Sequence, residues 1–365
     1  MSLKCGIVGL PNVGKSTLFN CLSSAKAQSA NFPFCTIEPN VGTITVPDPR
    51  LNKLEDLVNP ERVVPNTIEI VDIAGLVKGA SEGEGLGNQF LGNIRETDAI
   101  LHVVRCFDDG NIIHVEGNVD PKRDKEIIDI ELQLKDHETV TKRMEKSAKL
   151  AKTGNKDAQK LMSILEQYKE VLEQGKSARI IQLSAEEAEL VKDLNLLTTK
   201  PVLYVCNVDE ASILKGNEYV NIVKEIANEE HAELLIISAK LESEIAELDD
   251  QEERDMFLED AGLSEPGVNK LIRSAYGALA LSTYFTAGVK EVRAWTISKG
   301  MTAPQAAGVI HTDFEKGFIR AEVIAYDDFV KLGSESACRD AGKLSVEGKD
   351  YVVEDGDLMH FRFNV

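Results

Sequence analysis

The sequence predicts an α/β fold: a parallel sheet covered by helices on both faces, interrupted by a long helical insertion and followed by a smaller mixed module. Three observations carry this. Apolar runs at residues 4–10, 68–73, 99–104, 201–206 and 234–237 do not alternate with polar residues, which is the texture of strands buried on both faces. Residues 126–199 break that series with a charged stretch whose apolar positions step by three and four. Past residue 282 the chain turns to short strands, aromatics and turns over roughly eighty residues, an ordinary domain size.

The first apolar run meets a glycine-rich turn and then a helical stretch at 16–23, so the chain opens as strand, loop, helix. In the insertion, Ile127, Ile130, Leu134, His137, Thr141, Met144 and Ala148 form one stripe. Ala158, Leu161, Leu165, Tyr168 and Leu172 form a second after Gly154-Asn155. Two helices that turn at this glycine and pack as an antiparallel coiled-coil hairpin follow, with His137 and Thr141 as polar seam positions. Ser184 to Glu187 spells a capping box that opens another helix, and Pro201 begins the strand that resumes the sheet. The expected domains are residues 1–125 with 200–281, the insertion 126–199, and a terminal module 282–365 with strands near 292–297, 318–324, 351–353 and 358–363.

Of 365 residues, 43% are apolar and 28% charged, a globular balance. No apolar run approaches the roughly 18 residues that span a bilayer, and the opening residues do not form a basic segment ahead of an apolar one. A cytoplasmic protein without membrane contact, monomeric by default, is the expectation. Six scattered cysteines without a C-x-x-C pair suggest reduced, mostly buried thiols. A formal charge of −20 excludes whole-surface attraction to nucleic acid, argues against a sequence-specific DNA-binding protein and confines any RNA contact to local patches. Residues 241–260 hold ten carboxylates against Arg254, which reads as a solvated face or an acidic docking surface.

Gly9-Leu-Pro-Asn-Val-Gly-Lys-Ser16 fits G-x-x-x-x-G-K-[ST] between a strand and a helix, the context in which that spacing forms a phosphate-binding loop. Asn12, Val13, Gly14, Lys15, Ser16 and Thr17 are the expected nucleotide contacts. Backbone N–H groups cradle phosphate oxygens, Gly14 permits close approach, Lys15 neutralises charge and Ser16 offers a hydroxyl to Mg²⁺. Asp72-Ile-Ala-Gly75 closes a strand as D-x-x-G, with the carboxylate expected near the metal and the Gly75 N–H at the γ-phosphate. Thr36 lies where a switch threonine would complete the metal shell. Ser238-Ala239-Lys240 matches the S-A-K element beside a nucleotide base. In this order and spacing the set reads as a GTPase-type switch.

Two departures qualify that reading. Where a guanine-reading GTPase has N-K-x-D, this chain has Asn207-Val208-Asp-Glu210, so guanine recognition through the usual aspartate is in doubt. After Gly75 it has Leu76 where small GTPases carry a water-orienting glutamine. Another group must position the water, and His114, in a glycine-bearing loop, is the candidate, whereas His102 lies in a strand and reads as core.

With these residues in view, 9–20, 31–40, 72–92 with its Glu82-Gly-Glu-Gly-Leu-Gly87 run, the N-x-x-E at Asn207 and the terminal module, the chain resembles the YchF branch of the Obg-like ATPases over nearly its whole length. The resemblance implies a P-loop G domain, an inserted coiled-coil arm and a C-terminal TGS domain of β-grasp type. It also implies binding of ATP at least as well as GTP, slow hydrolysis, association with ribosomes, and an activating K⁺ held with the help of Asn12. The resulting expectation is a ribosome-associated ATPase switch with Lys15 and His114 in catalysis, Ser16, Thr36 and Asp72 on Mg²⁺, and Asn207, Val208, Glu210, Ser238 and Ala239 around the base. A GTP-preferring relative and a P-loop phosphotransferase are the rival readings.

Overall fold

The computed structural model describes residues 3–28, 37–38, 41–73, 86–248 and 250–364. Among these, eight strands fall in the first two thirds of the chain: β1 Lys4–Val8, β2 Ile37–Glu38, β3 Val41–Thr45, β4 Val63–Val64, β5 Thr67–Asp72, β6 Ala99–Arg105, β7 Val202–Asn207 and β8 Glu233–Ile237. Seven form one sheet in the order β2-β3-β5-β1-β6-β7-β8. From β5 to β8 every pairing is parallel, and β6 and β7 are buried along their whole length, so their sequences stay apolar without alternation. From β1 the chain builds outward to β5 on one side and then crosses to β6 on the other. Loops at the carboxyl ends of the strands meet at this change of direction, where open α/β sheets hold their ligands.

The helices that accompany these strands are α1 Lys15–Gln28, α2 Pro49–Val58, α3 Leu86–Arg95, α4 Pro121–Lys152, α5 Lys156–Glu173, α6 Ala185–Val191, α7 Glu218–Glu229 and α8 Ala239–Glu247. Among the described residues no helix is long and apolar enough to cross a membrane. The insertion is the antiparallel pair α4 and α5. Its first helix begins at Pro121, ahead of residue 126, because the Asp120 side chain accepts from Arg123 N and proline suits the first helical position. Gly154, at φ 85°, and Asn155, whose side chain accepts from Ala158 N, form the turn. Ser184 and Glu187 form the expected capping box on α6.

The seam of the hairpin is half as expected. On α5 the buried positions include Ala158, Leu161, Leu165, Tyr168 and Leu172. On α4 they are Ile128, Leu132, Asp136 and Val140, whereas Ile130 and Leu134 are half exposed and His137 reaches the surface near Glu173. The lower part of α4 packs against α7 and β6 as well as α5, so its buried arc takes in Asp129, Glu131, Gln133 and Asp136, which apolar periodicity does not register.

Those buried polar groups root the arm. Asp136 accepts from Leu197 N (2.8 Å), Thr198 N (2.7 Å) and Thr198 Oγ1 (2.7 Å), just ahead of β7. Lys125 pairs with Asp129 (2.6 Å) and with Glu230. Glu230 also takes Arg179 (3.3 Å) and accepts from the Tyr204 hydroxyl (2.8 Å). Beside this cluster the His102 ring is fully enclosed, and burial together with Lys125 and Arg179 drives its pKa down to about 3, so it is a neutral core residue.

Within the acidic segment, Glu242 of α8 is buried and accepts from Gly267 N (2.7 Å) and Val268 N (3.1 Å). Part of that run therefore caps a neighbouring helix rather than facing solvent.

Residues 44–68 and 276–364 make a second compact unit. It adds β9 Leu281–Ala287, β10 Val292–Ser298, β11 Phe318–Ile324, β12 Ser345–Glu347 and β13 Leu358–Phe363. These strands and β4 form a mixed sheet in the order β12-β11-β13-β9-β10-β4, a β-grasp arrangement. This unit is wider than the expected module from 282: β4 pairs with β10, and α2 buries Leu51 and Leu54 in a core with Phe285, Val292 and Ile324. A two-residue strand and one helix carry no local signal of which core they join. Residues 351–353 make a single bridge, Thr302 with Val352, instead of the expected strand.

Removing the Asp136 carboxylate should leave two backbone N–H groups and a hydroxyl buried without partners. Asp136→Ala is expected to lower stability by about 2–4 kcal/mol, and Asp136→Asn by less. In urea the far-UV helical signal should lose midpoint, while the fluorescence of Trp295, the single tryptophan and a residue of the second unit, should shift little. Equal shifts of both signals would show that Asp136 does not act through the arm.

Candidate functional site

The site is built from loops at the carboxyl ends of β1, β5, β6, β7 and β8. At the end of β1 the chain turns through Asn12 at φ 62° and Gly14 at φ 99° before α1 starts. Gly14 is required by its neighbour: a Cβ there would lie 2.4 Å from Asn207 Nδ2. The Asn207 amide, buried at the end of β7, donates to Val13 O (2.9 Å) and accepts from Ala239 N (2.9 Å). One side chain thus joins the β1, β7 and β8 loops.

Lys15 lies inside this cradle, with Nζ donating to Leu10 O (2.7 Å). Burial drives its pKa down to about 8, partly offset by the Asp72 carboxylate. Ser16 and Thr17 face outward at the start of α1. Ser16 Oγ donates to Asp72 Oδ2 (3.1 Å) at the end of β5. The second carboxylate oxygen, Asp72 Oδ1, is buried and has no partner among the described residues. A hydroxyl and a carboxylate side by side, with one buried oxygen unsatisfied, are a donor set suited to a hard divalent cation. Thr36, Gly75 and Leu76 lie outside the described residues.

The residues expected around the base divide. Val208 is buried and donates its N–H to Ile237 O, so its side chain belongs to the core. Ser238 is fully buried and caps α8 by accepting from Leu241 N. Glu210 is half exposed, and its carboxylate is held by Lys240 Nζ at 2.6 Å.

His114 occupies a loop that touches the phosphate-loop segment directly, since Asn12 Nδ2 donates to Ile113 O (3.1 Å). The imidazole is buried: Nδ1 accepts from Glu116 N (3.1 Å) and Nε2 faces Asp124 Oδ2 (2.8 Å) on the first turn of α4. An acceptor at Nδ1 places the proton on Nε2, where the carboxylate receives it. Around the ring, Ile112, Ile113 and Val115 are exposed, Ile113 by 78%.

Sequence reasoning missed the organiser of this loop. Arg105, the last residue of β6, is buried and spreads its guanidinium over three carbonyls, those of Phe107 (3.1 Å), Asp109 (3.2 Å) and Ile112 (3.0 Å). The available signal was an arginine ending a strand that is apolar apart from His102.

Comparison with known proteins agrees with this geometry. The family model YchF-GTPase_C, described as a protein of unknown function, matches residues 281–364, and MMR_HSR1, described as 50S ribosome-binding GTPase, matches residues 4–150. Curated relatives named "Ribosome-binding ATPase YchF" from Haemophilus ducreyi and Bacillus subtilis are each 57% identical, with all of both chains covered. The chain belongs to the YchF family. The solved "Structure of the Schizosaccharomyces pombe YchF GTPase" is similar throughout, with 42% identity, a TM-score of 0.88, and coverage of 99% of this chain and 98% of that one. The G domain, inserted helical arm and β-grasp module are therefore the architecture of this family.

With Lys15 as a phosphate contact, its pKa is expected to make nucleotide binding pH-dependent with a definite sign. In the protein by itself the ammonium is lost near pH 8, while a bound polyphosphate favours the charged form. Binding therefore takes up protons above pH 8. Affinity for ATP should fall from pH 8 to 9.5, by up to about tenfold per unit, and calorimetry at pH 8.5 in buffers of different ionisation enthalpy should register the uptake. Binding without proton uptake at that pH would contradict this account of Lys15.

Proposed function

We propose that this chain is a Mg²⁺-dependent nucleoside triphosphatase that prefers ATP and works as a nucleotide switch on ribosomes; its relatives are named as ribosome-binding ATPases. The contact between Ser16 and Asp72, with its unsatisfied Oδ1 beside the desolvated Lys15, supports the reading most directly. Main-chain N–H groups from Asn12 to Thr17 and the Lys15 ammonium bind the phosphates. Ser16, Asp72 and Thr36 hold Mg²⁺, which when bound neutralises charge on the terminal phosphates. Thr36 and the Gly75 N–H respond to the γ-phosphate. Asn12 donates through Nδ2 to Ile113 O, which leaves Oδ1 to accept a cation such as K⁺.

His114 positions the attacking water in this scheme. Asp124 fixes the Nε2–H tautomer, so the Nδ1 lone pair, held here by Glu116 N, can accept from water once that bond is exchanged. The exposed Ile112, Ile113 and Val115 supply apolar surface to exclude bulk solvent. Phosphate release should require Mg²⁺ and disappear in Lys15→Ala, whereas His114→Ala should lower kcat by about 10²-fold or more with nucleotide affinity retained. An unchanged kcat in His114→Ala removes that residue from the mechanism, and phosphate release by Lys15→Ala removes the loop.

Base preference follows from where the carboxylate stands. Guanine presents two adjacent donors to an aspartate, while adenine presents an acceptor at N1. Glu210 is one methylene longer than that aspartate and is engaged by Lys240, and the buried Val208 offers no stem to pack along the base. ATP should bind at least as tightly as GTP, with discrimination of a few-fold or more, far below the about 10⁴ of a site built to one hydrogen-bond pattern. Titration of both nucleotides checks this, and a preference for GTP above about tenfold would overturn it.

A further inference from the structure

The strongest unassigned feature of the molecule is a reversal of charge at the end of the arm. Residues 142–160, the last turns of α4, the Gly154 turn and the first turns of α5, hold Lys142, Arg143, Lys146, Lys149, Lys152, Lys156 and Lys160. Seven cations stand there against two carboxylates, Glu145 and Asp157, in a chain whose formal charge is −20. Lys142, Arg143 and Lys160 are paired, with Glu138, Asp193 and Glu186. Lys146, Lys149, Lys152 and Lys156 are exposed and reach no carboxylate among the described residues. Lys142, Lys146, Lys149 and Lys152 step by four and three, so they line one face of α4, opposite the side that buries Val140 and packs Met144.

We infer that the tip of the arm is an RNA-docking surface, in which Lys146, Lys149, Lys152 and Lys156 hold phosphates of structured RNA. This rests on the ribosome reading above and names the surface that serves it. Sixteen residues of helix separate Asp136, where the arm is clamped, from Lys152, a rise of about 24 Å. That is about three Debye lengths at physiological salt, so carboxylates at the level of the clamp are screened from a polyanion at the tip, and the nearer Glu138, Asp193 and Glu186 are engaged by Lys142, Arg143 and Lys160. The same segment contains no aromatic residue and a single arginine. Stacking on bases and bidentate reading of base edges are therefore absent from its chemistry, and ammonium contacts to the backbone remain. The contact should be insensitive to sequence and steeply dependent on salt.

The test uses the full chain and the variant K146Q/K149Q/K152Q/K156Q, in which glutamine keeps helix propensity without charge. Unchanged ATP hydrolysis and helical content establish that the variant is intact. Binding is then measured to ribosomes by co-sedimentation and to protein-free ribosomal RNA by salt titration. We expect the variant to lose tenfold or more in both at about 0.1 M salt. The slope of log K against log [salt] for RNA should fall by about 3, near 0.7–0.9 for each phosphate that the variant leaves without a lysine. A variant that binds ribosomes and RNA like the wild type overturns the tip as the docking surface while leaving ribosome association standing. Loss of ribosome binding alone, with the wild type failing to bind free RNA, shows that an acidic protein is the partner and overturns the RNA assignment. If the wild type does not sediment with ribosomes in any nucleotide state, the ribosome reading fails, and the RNA titration still decides the tip on its own.

Discussion

A buried amide at the end of β7 holds the candidate site together. Asn207 bonds Val13 O on one side and Ala239 N on the other, and both contacts depend on Gly14 having no side chain in the way. Each such bond contributes only about 1 kcal/mol net, but an unpaired buried amide or carbonyl costs more than that. The three loops therefore assume one arrangement or none. The phosphate-loop N–H groups that would face a nucleotide are aimed before any ligand arrives, which lowers the ordering cost of binding. The residue type that marks a guanine site in other GTPases is used here for internal bracing, and the carboxylate three positions later is left at the surface with Lys240.

The arm is attached by polar groups as well as by the apolar seam, which continues into Ala178, Val191, Leu194 and Leu196. Asp136 and the Lys125, Asp129, Glu230, Arg179 and Tyr204 cluster fix α4 to the strands and helix beneath it. Buried ionic groups contribute little net stability but define geometry closely, because only one arrangement satisfies them all. After Pro121 the helix contains no glycine or proline, so nothing in its sequence favours a kink. Its first turn carries Asp124, bonded to His114, and its last turns carry the exposed lysines. A single helix therefore connects the His114 loop, which touches Asn12 of the candidate phosphate loop, with the tip proposed to meet RNA.

Much of this was legible in the sequence, for identifiable reasons. The parallel strands showed as unalternating apolar runs, and α5 showed through Ala158, Leu161, Leu165, Tyr168 and Leu172. The phosphate loop was legible because its spacing is dictated by the dimensions of a phosphate. Apolar stepping misplaces the α4 stripe because the lower half of that helix buries Asp129, Glu131, Gln133 and Asp136 against a second partner, a choice made by tertiary packing. For the same reason α2 and β4 gave no sign that they belong with the β-grasp core, since Leu51 and Leu54 would suit either. Arg105 stood out only as an arginine ending its strand, and its role as loop organiser was not legible because its partners are main-chain carbonyls, which have no sequence signature.

The electrostatics of the phosphate loop bear on what must bind there together. Burial brings the Lys15 pKa down to about 8, and a carbonyl and a nearby carboxylate are the ammonium's compensation. Asp72 lies near that ammonium, yet one of its own oxygens is buried without a donor among the described residues. A polyphosphate alone would satisfy Lys15 but bring negative charge towards Asp72, and a divalent cation alone would satisfy Asp72 but repel Lys15. A metal-bound polyphosphate would meet both requirements, with Lys15 available to its anionic oxygens and Ser16 and Asp72 to its cation. Neither charge would be compensated without the other, so two opposed desolvation penalties would favour the metal complex over either component alone.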